Sequence, residues 1–489
     1  MTSHAGRPLP RSTPSAEGVD ADGVLALLDA LEAAPGVEPH SLMILRHGRL
    51  IAEGWWAPYA PARPQLVYSL SKSFTTTAAG LAVGDGLVDL DAPVLRYFPE
   101  LDGEVTDPRS RALLVRHVAA MASGHVADTF ERALAVDREN LVRGFLLLPP
   151  DREPGTVFAY NQPATYTLAA IVQRVTGQRL TDWLRSRLYG PLGIAEAHWE
   201  QFPPGRDLAF SGLYTTTDAV ARLGQLYLRD GVWEGRRLLP ASWVAEATRP
   251  QVSNADDASR DAAPDWQQGY GFQFWMSRHG YRGDGAYGQY MLVLPEQDAV
   301  VALASETKGM QEVLDLVWRH LLPAFGAAAP EGVAAAADER LRLRLAALQV
   351  PPLSASPAPP GDAAAWSAAE FTRAGGDADP DRPKLTGAAV TADAAGGGWT
   401  LTLTEAGRQL DLRFGGAGWS VDEGGGERPA TAVSAGWTDQ DTLVADIAFL
   451  ETPHHLVVTC SRATGTLTAR WSNPPLRRGR LLTHHAPRP

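Results

Sequence analysis

Cysteine is nearly missing from this chain. Cys460 is the only one in 489 residues, which excludes an intrachain disulfide and a cysteine-ligated metal cluster. Lysine is almost as scarce: of 44 Lys and Arg residues only Lys72, Lys308 and Lys384 are lysine, leaving 41 arginines. Positive charge is in deficit, with a net charge of −12, which argues against a nucleic-acid partner or an anionic membrane surface. No apolar run reaches the length of a membrane span. The opening M-T-S-H-A-G-R-P-L-P-R-S-T-P-S has no apolar signal core, so a cytoplasmic location is expected. Several catalytic signatures are also missing. There is no G-x-S-x-G elbow, no H-E-x-x-H and no G-x-x-x-x-G-K-[ST].

What is present reads as a globular chain of several domains, with 45% apolar and 20% charged residues. Residues 1–17 read as a flexible N-terminal arm and 19–34 as a helix. S-L-M-I-L-R-H-G-R-L-I-A-E-G-W-W predicts a β-hairpin turning at His47–Gly48. Helical segments joined by Gly and Pro loops fill about 87–265, including 165–177 and 217–231, each closed by glycine. β patterning returns at 270–276, 288–294 and 298–305, followed by a helix over 309–325. Residues 326–365 read as an Ala/Pro-rich linker with one short helix. Residues 366–489 alternate in short runs such as W-T-L-T-L-T and Q-L-D-L-R-F, the mark of an all-β accessory domain, sandwich or barrel. The simplest α/β fold joins both ends of 18–325 into one antiparallel sheet, with a helical lobe beyond it and a cleft between.

A serine hydroxyl is a weak nucleophile until a base is held against it. S-x-x-K occurs at Ser69–Lys72, within L-V-Y-S-L-S-K-S-F-T-T-T-A-A-G. Residues three apart share a helix face, so one turn sets the amine beside the hydroxyl. Burial disfavours an ammonium and lowers its pKa, an option arginine does not offer. Spacing alone fits an N-cap serine with a solvated lysine equally well. A second S-x-x-K, Ser305–Lys308, follows a strand and reads better as a helix cap.

The longer stretch Y-S-L-S-K-S-F-T-T-T-A-A-G-L-A-V-G-D-G-L-V-D-L-D-A-P-V-L-R-Y-F-P-E resembles the penicillin-recognising serine hydrolases, the β-lactamase-like family. That family holds class C-type β-lactamases, esterases, D-amino-acid peptidases, nylon-oligomer hydrolases and acyltransferases. The resemblance continues in chain order through L-L-V-R-H-V-A-A-M-A-S-G (113–124), P-G-T-V-F-A-Y-N-Q (154–162), P-L-G-I (191–194), S-G-L-Y-T-T-T-D-A-V-A-R-L-G-Q-L-Y-L (211–228) and G-D-G-A-Y-G-Q-Y-M-L-V-L-P (283–295). It covers roughly 18–325. It implies a β-lactamase-like fold: an antiparallel sheet flanked by helices, plus a helical lobe. It also implies Ser69 as nucleophile, Lys72 as its first proton partner and Tyr160 as the second, with the lysine charge lowering the phenol pKa. Backbone N–H groups of Ser69 and Ala286 then form the oxyanion hole, and Gly285 lets the strand approach closely.

Two departures shape the expected substrate. The family's Y-x-N is here Tyr160-Asn161-Gln162, so an amide is kept but displaced to Asn161 or lengthened to Gln162. The third motif, K-T-G or H-x-G in relatives, is here Gly283-Asp284-Gly285, followed by Tyr287. The usual cation for a substrate carboxylate is gone. Arg282 is a candidate replacement, though a surface arginine on a strand edge is the plainer reading. Trp266, Tyr270, Phe272, Trp275 and Tyr287 are candidates to line an acyl pocket, with about half of them expected in the core. His125 reads as a loop residue bordering the cleft. The expectation is a serine hydrolase that cleaves a small ester or amide through an acyl-enzyme on Ser69. No metal or organic cofactor is needed. β-Lactam or peptidoglycan substrates are disfavoured. The alternatives are an acyltransferase using the same site and a non-catalytic binding protein that retains the fold.

Overall fold

The computed structural model describes residues 7–255, 264–327, 331–361, 363–374, 382–393, 397–477 and 479–488. Helix α1 (Ala21–Ala33) starts at Asp20, whose side chain accepts the Asp22 N–H. The hairpin follows as β1 (Val37–Arg46) and β2 (Arg49–Trp55). Its turn residues His47 and Gly48 have φ of 50° and 75°, the left-handed pair that matches strand twist. The helical lobe includes α2 (Ser71–Gly84), α3 (Gln162–Thr176) and α4 (Thr217–Leu228). The chain then returns through β3 (Trp275–Met276), β4 (Tyr281–Gly285), β5 (Gln289–Leu294) and β6 (Ala299–Thr307), followed by α5 (Met310–Leu316).

These six strands form one sheet in the order β2-β1-β6-β5-β4-β3, antiparallel throughout. The two ends of the segment therefore close on each other, as the strand pattern predicts. Strand alternation sorts the core into two layers. Leu42, Ile44, Leu292 and Val301 face α1 and α5. Met43, Leu45, Met291 and Val293 face α2 and α4 through Phe74, Ala78 and Leu223.

The C-terminal region is all β: β7 (Ala369–Arg373), β8 (Leu385–Ala392), β9 (Trp399–Glu405), β10 (Arg408–Phe414), β11 (Ser420–Asp422), β12 (Thr431–Trp437), β13 (Thr442–Phe449), β14 (His454–Ser461) and β15 (Thr466–Trp471). The sheet runs β10-β9-β8-β7-β15-β14-β13-β12-β11. Its ends meet where β10 contacts β11 and β12, so it curls into a barrel filled by Val390, Leu401, Leu412, Ile447, Leu456 and Val458.

Two sequence expectations need correction. Residues 1–6 of the expected arm lie outside the described residues, but 7–17 are not loose. Leu50 N–H donates to the Pro10 carbonyl at 2.8 Å, Ser12 N–H donates to the Leu50 carbonyl at 3.0 Å, and Leu9 is buried. The Ala/Pro-rich segment is docked as well. Its helix α6 (Glu331–Ala346) buries Ala337 and Leu341 against the α1 side of the sheet. Val350 N–H then donates to the Ala57 carbonyl at 2.9 Å, and Ser356 and Trp437 exchange backbone bonds at 3.0 and 2.9 Å. Composition suggested a spacer, but a few apolar side chains and backbone pairing suffice to hold the segment down. Among the described residues no helix is long and apolar enough to cross a membrane.

Candidate active site

Between Leu66 and Ala82 every residue is buried except Ser69. Ser69 lies in the 3₁₀ turn Tyr68–Leu70, one step before α2. Helix α2 is buried from Ser71 to Ala82, and small side chains allow it. A Cβ on Gly80 would lie 2.4 Å from the Trp243 indole. Such a helix is gripped on all sides, and its first turn is held still. Ser71 is part of that grip: its hydroxyl donates to the Tyr68 carbonyl and accepts the Leu213 N–H at 3.1 Å.

Lys72 is 1% exposed. Its Nζ stands 3.0 Å from Ser69 Oγ and donates to the Phe210 carbonyl at 2.7 Å. Burial pulls its pKa from 10.5 down to about 7, against the opposing pull of the Asp128 and Asp284 carboxylates. A neutral amine keeps an N–H for Phe210 and can turn its lone pair to Ser69. Tyr160, partly buried, hydrogen-bonds Ser69 and Trp275, and the Lys72 Nζ lies 4.6 Å from its ring centre. Here the expected phenol shift is reversed. Burial, reinforced by Asp284, raises the Tyr160 pKa, so the phenol keeps its proton.

The third-motif strand lies directly on this turn. A Cβ on Gly283 would fall 2.4 Å from Ser73 Oγ, and one on Gly285 would fall 2.1 Å from the Val67 carbonyl oxygen. A side chain at position 283 would therefore meet Ser73 on α2. Ala286 follows, and it alone among 281–294 is not fully buried. Ser69 and Ala286 are thus the partly exposed residues of two adjoining backbones. Gly285→Ala is expected to force these two elements apart, costing about 1–3 kcal/mol by overpacking and at least about tenfold in kcat/KM. Thermal melting and ester kinetics check it, and unchanged values for both would refute it.

Arg282 is not a surface residue, contrary to expectation. It is 0% exposed and pairs with Asp284 at 2.9 Å. Its Nη1 donates to the Asp265 and Met276 carbonyls, each at 3.0 Å. Trp266 lies under its guanidinium at 4.5 Å and hydrogen-bonds Asp284. Positions two apart on a strand share a face, so the Arg282–Asp284 pairing was signalled by the sequence. Asp128, which the sequence reading missed, accepts N–H bonds from Gln162 and Phe130 at 3.1 and 3.2 Å. Gln162 sits beside the cleft with its Oε1 buried and unpartnered. Asn161 is buried, accepting the Thr129 N–H and hydroxyl at 3.0 Å.

The other expected residues divide. Trp275 stacks on Tyr160 at 5.2 Å, and Tyr270 meets Trp275 edge-on at 4.9 Å. Phe272 is core beside Trp243. Tyr287 turns away from the cleft: its hydroxyl donates to the Pro474 carbonyl. Buried His125 locks a loop between the Ser123 hydroxyl and the Leu148 carbonyl at 3.0 and 3.1 Å. Ser305 is not a cap. It lies in β6 and donates to the Tyr287 and Gly288 carbonyls at 3.2 and 3.0 Å, while Lys308 is exposed. The two S-x-x-K matches therefore differ in the one property that counts, lysine burial.

The C-terminal barrel reaches this site. Tyr68 and Tyr287, at φ of 47° and 67°, flank Ser69 and Ala286. Their rings meet edge-on at 5.4 Å, and both abut His454 of the barrel. The Tyr68 hydroxyl bonds His454 Nε2. Arg477 pairs with Glu200 at 2.6 Å.

Comparison with known proteins agrees with this architecture. The Beta-lactamase family model matches residues 26–325. The 6-aminohexanoate-dimer hydrolase of Paenarthrobacter ureafaciens is 28% identical over 284 residues, 54% of this chain and 72% of that protein. Penicillin-binding protein 4 of Amycolatopsis lactamdurans is 29% identical over 308 residues, 56% of this chain and 80% of that protein. The crystal structure of SurE with D-Leu aligns over 93% of this chain and 99% of that chain, at 21% identity and a TM-score of 0.49. With a family match across more than half its length, the chain belongs to the Beta-lactamase family and is a serine hydrolase of that type.

Proposed function

We propose that this hydrolase cleaves a small neutral or cationic ester or amide through an acyl-enzyme on Ser69. The observation that carries the proposal is the 3.0 Å contact between Ser69 Oγ and a Lys72 amine that is fully buried. Neutral Lys72 takes the Ser69 proton as Oγ attacks the carbonyl carbon. The Ser69 and Ala286 N–H groups hold the resulting oxyanion. Tyr160, still protonated, donates to the leaving group and is reprotonated through Lys72. Water then attacks the acyl-enzyme by the reverse relay.

Electrostatics support the substrate class. Arg282 and Asp284 offset each other as a buried pair, which leaves the Asp128 carboxylate, first of the charges acting on Lys72, as the uncompensated one. A carboxylate beside the scissile bond finds like charge there. We assign catalysis to 18–325, a docked connector to 326–365 and an accessory role to the barrel of 366–489, supported by its contacts with Tyr68 and Tyr287. The cytoplasm is the proposed compartment, supported by a single cysteine and hence no intrachain disulfide.

A p-nitrophenyl ester, an amino-acid amide and a chromogenic cephalosporin, assayed side by side, test the reading. Turnover of the ester or amide should exceed that of the cephalosporin by about 10²-fold or more, the scale of a misplaced buried charge. Equal rates would sink the substrate assignment. Tyr160→Phe should lower kcat by roughly 10²–10⁴-fold, with the larger loss on the amide because its leaving group needs the proton more. An equal small loss on both substrates would remove Tyr160 from the relay.

A further inference from the structure

Away from Ser69, where the barrel docks on the sheet, four side chains converge that neither the proposed mechanism nor the barrel core uses. Glu38 and His40 come from β1, Tyr59 from the segment after β2, and His455 from β14. Glu38 Oε1 lies 3.2 Å from His40 Nε2 and 2.9 Å from His455 Nε2. The Tyr59 hydroxyl lies 3.0 Å from the same His455 nitrogen. The Glu38, His40 and His455 atoms all fall within 4.8 Å of one another. Both histidines are buried, and Tyr59 stacks on His40 at 3.8 Å.

We propose that Glu38, His40 and His455 bind a zinc-class divalent cation that clamps the barrel to the catalytic domain, with Tyr59 as the neighbouring fourth donor. The spacing fits. Ligands at about 2.0–2.1 Å in tetrahedral geometry stand roughly 3.3 Å apart, close to the separations observed. The donor set of two imidazoles and one carboxylate suits zinc. His455 Nδ1 is held by the Asp446 carboxylate at 3.0 Å, the outer partner that fixes a ligating imidazole through its other nitrogen.

His455 Nε2 faces both the Glu38 carboxylate and the Tyr59 hydroxyl, so nitrogen and oxygen lone pairs converge on one point that a cation can serve at once. A second observation adds an unsatisfied acceptor nearby. Glu306, paired with Glu38 across β1 and β6, is 3% exposed, and its Oε1 has no hydrogen-bond partner. An orphaned, buried carboxyl oxygen beside Glu38 is an acceptor that a cation held there would satisfy. The register slips between Pro39 and Ser41, so His40 sits in a bulge, the device that re-aims a side chain.

The test uses the full chain and zinc ion alone. After chelator treatment, zinc titrated against a chromophoric competitor should bind at one equivalent per chain and raise the thermal midpoint. Cobalt(II) in its place should give the visible bands of a four-coordinate nitrogen and oxygen site. His40→Gln should weaken zinc by about 100-fold, and Asp446→Asn by about 10–100-fold. Absence of a stoichiometric zinc or cobalt signal in the unmodified chain would overturn the proposal, and so would zinc affinity unchanged in a folded His40→Gln variant. The cobalt spectrum needs no variant, so a misfolded substitution does not blunt the test.

Discussion

Ser69→Ala is expected to abolish covalent labelling by a fluorophosphonate and to lower ester turnover by roughly 10⁴-fold or more, the scale seen when a serine nucleophile is removed. The reason is geometric. Ser69 alone between Leu66 and Ala82 is partly exposed, and it has a buried amine 3.0 Å from its oxygen. Two controls sharpen the result. Ser305→Ala removes the serine of the other S-x-x-K match and should leave labelling intact, because its lysine is exposed. Ser71→Ala breaks the bonds to Tyr68 and Leu213; it should lower the melting temperature and still allow labelling. A Ser69→Ala enzyme that labels and turns over normally would remove the acyl-enzyme from this site.

Lys72→Arg carries the second large effect, a loss of about 10²–10⁴-fold in kcat/KM. The guanidinium keeps the positive charge but cannot release it, so the serine proton has no acceptor. The pH profile of the unaltered enzyme makes the same point without a substitution. With Lys72 held to about 7 by burial, the neutral base forms as pH rises through that value. kcat/KM should therefore fall about tenfold per pH unit below it. The raised pKa of Tyr160 means that this phenol imposes no descending limb in the mildly alkaline range. Stability follows with its own sign. Between about pH 7 and 10.5 an unfolded chain holds a proton on Lys72 that the folded chain has released. The Lys72 part of stability thus rises with pH across that window and is least favourable below it. Lys72→Met should remove that slope in denaturant titrations while abolishing activity. An ester profile that stays flat from pH 5 to 9 would contradict the assignment of Lys72 as base.

The local parts of the site were legible in the residues. One helical turn sets Ser69 and Lys72 together whatever surrounds them, because three residues span that turn. The hairpin turn at His47–Gly48 and the return of strands after 270 also announced themselves, since each follows from side-chain period and turn chemistry. Arg282 and Asp284 were legible in principle, as two residues on one strand face. What misled was composition: the Ala/Pro-rich stretch 326–365 looked like a spacer, yet Ala337, Leu341 and Val350 bury in the core on the α1 side of the six-stranded sheet.

The tertiary structure decided the rest. G-D-G read as a motif with its cation lost; in the fold, Gly283 and Gly285 are the points where β4 meets Ser73 and Val67. The direction of the Tyr160 shift came from burial and Asp284, which no spacing reports. Tyr68 meets His454 across 386 residues of chain, and Tyr59 meets His455 across 396. By itself the sequence determined which serine stands beside a lysine and where sheet and helical lobe begin, because those depend on neighbours within a turn or a strand. Only the fold decided that this lysine is buried beside its serine, and that the C-terminal barrel reaches the turn that carries Ser69. Desolvation and interdomain contact are sums over residues far apart in the chain.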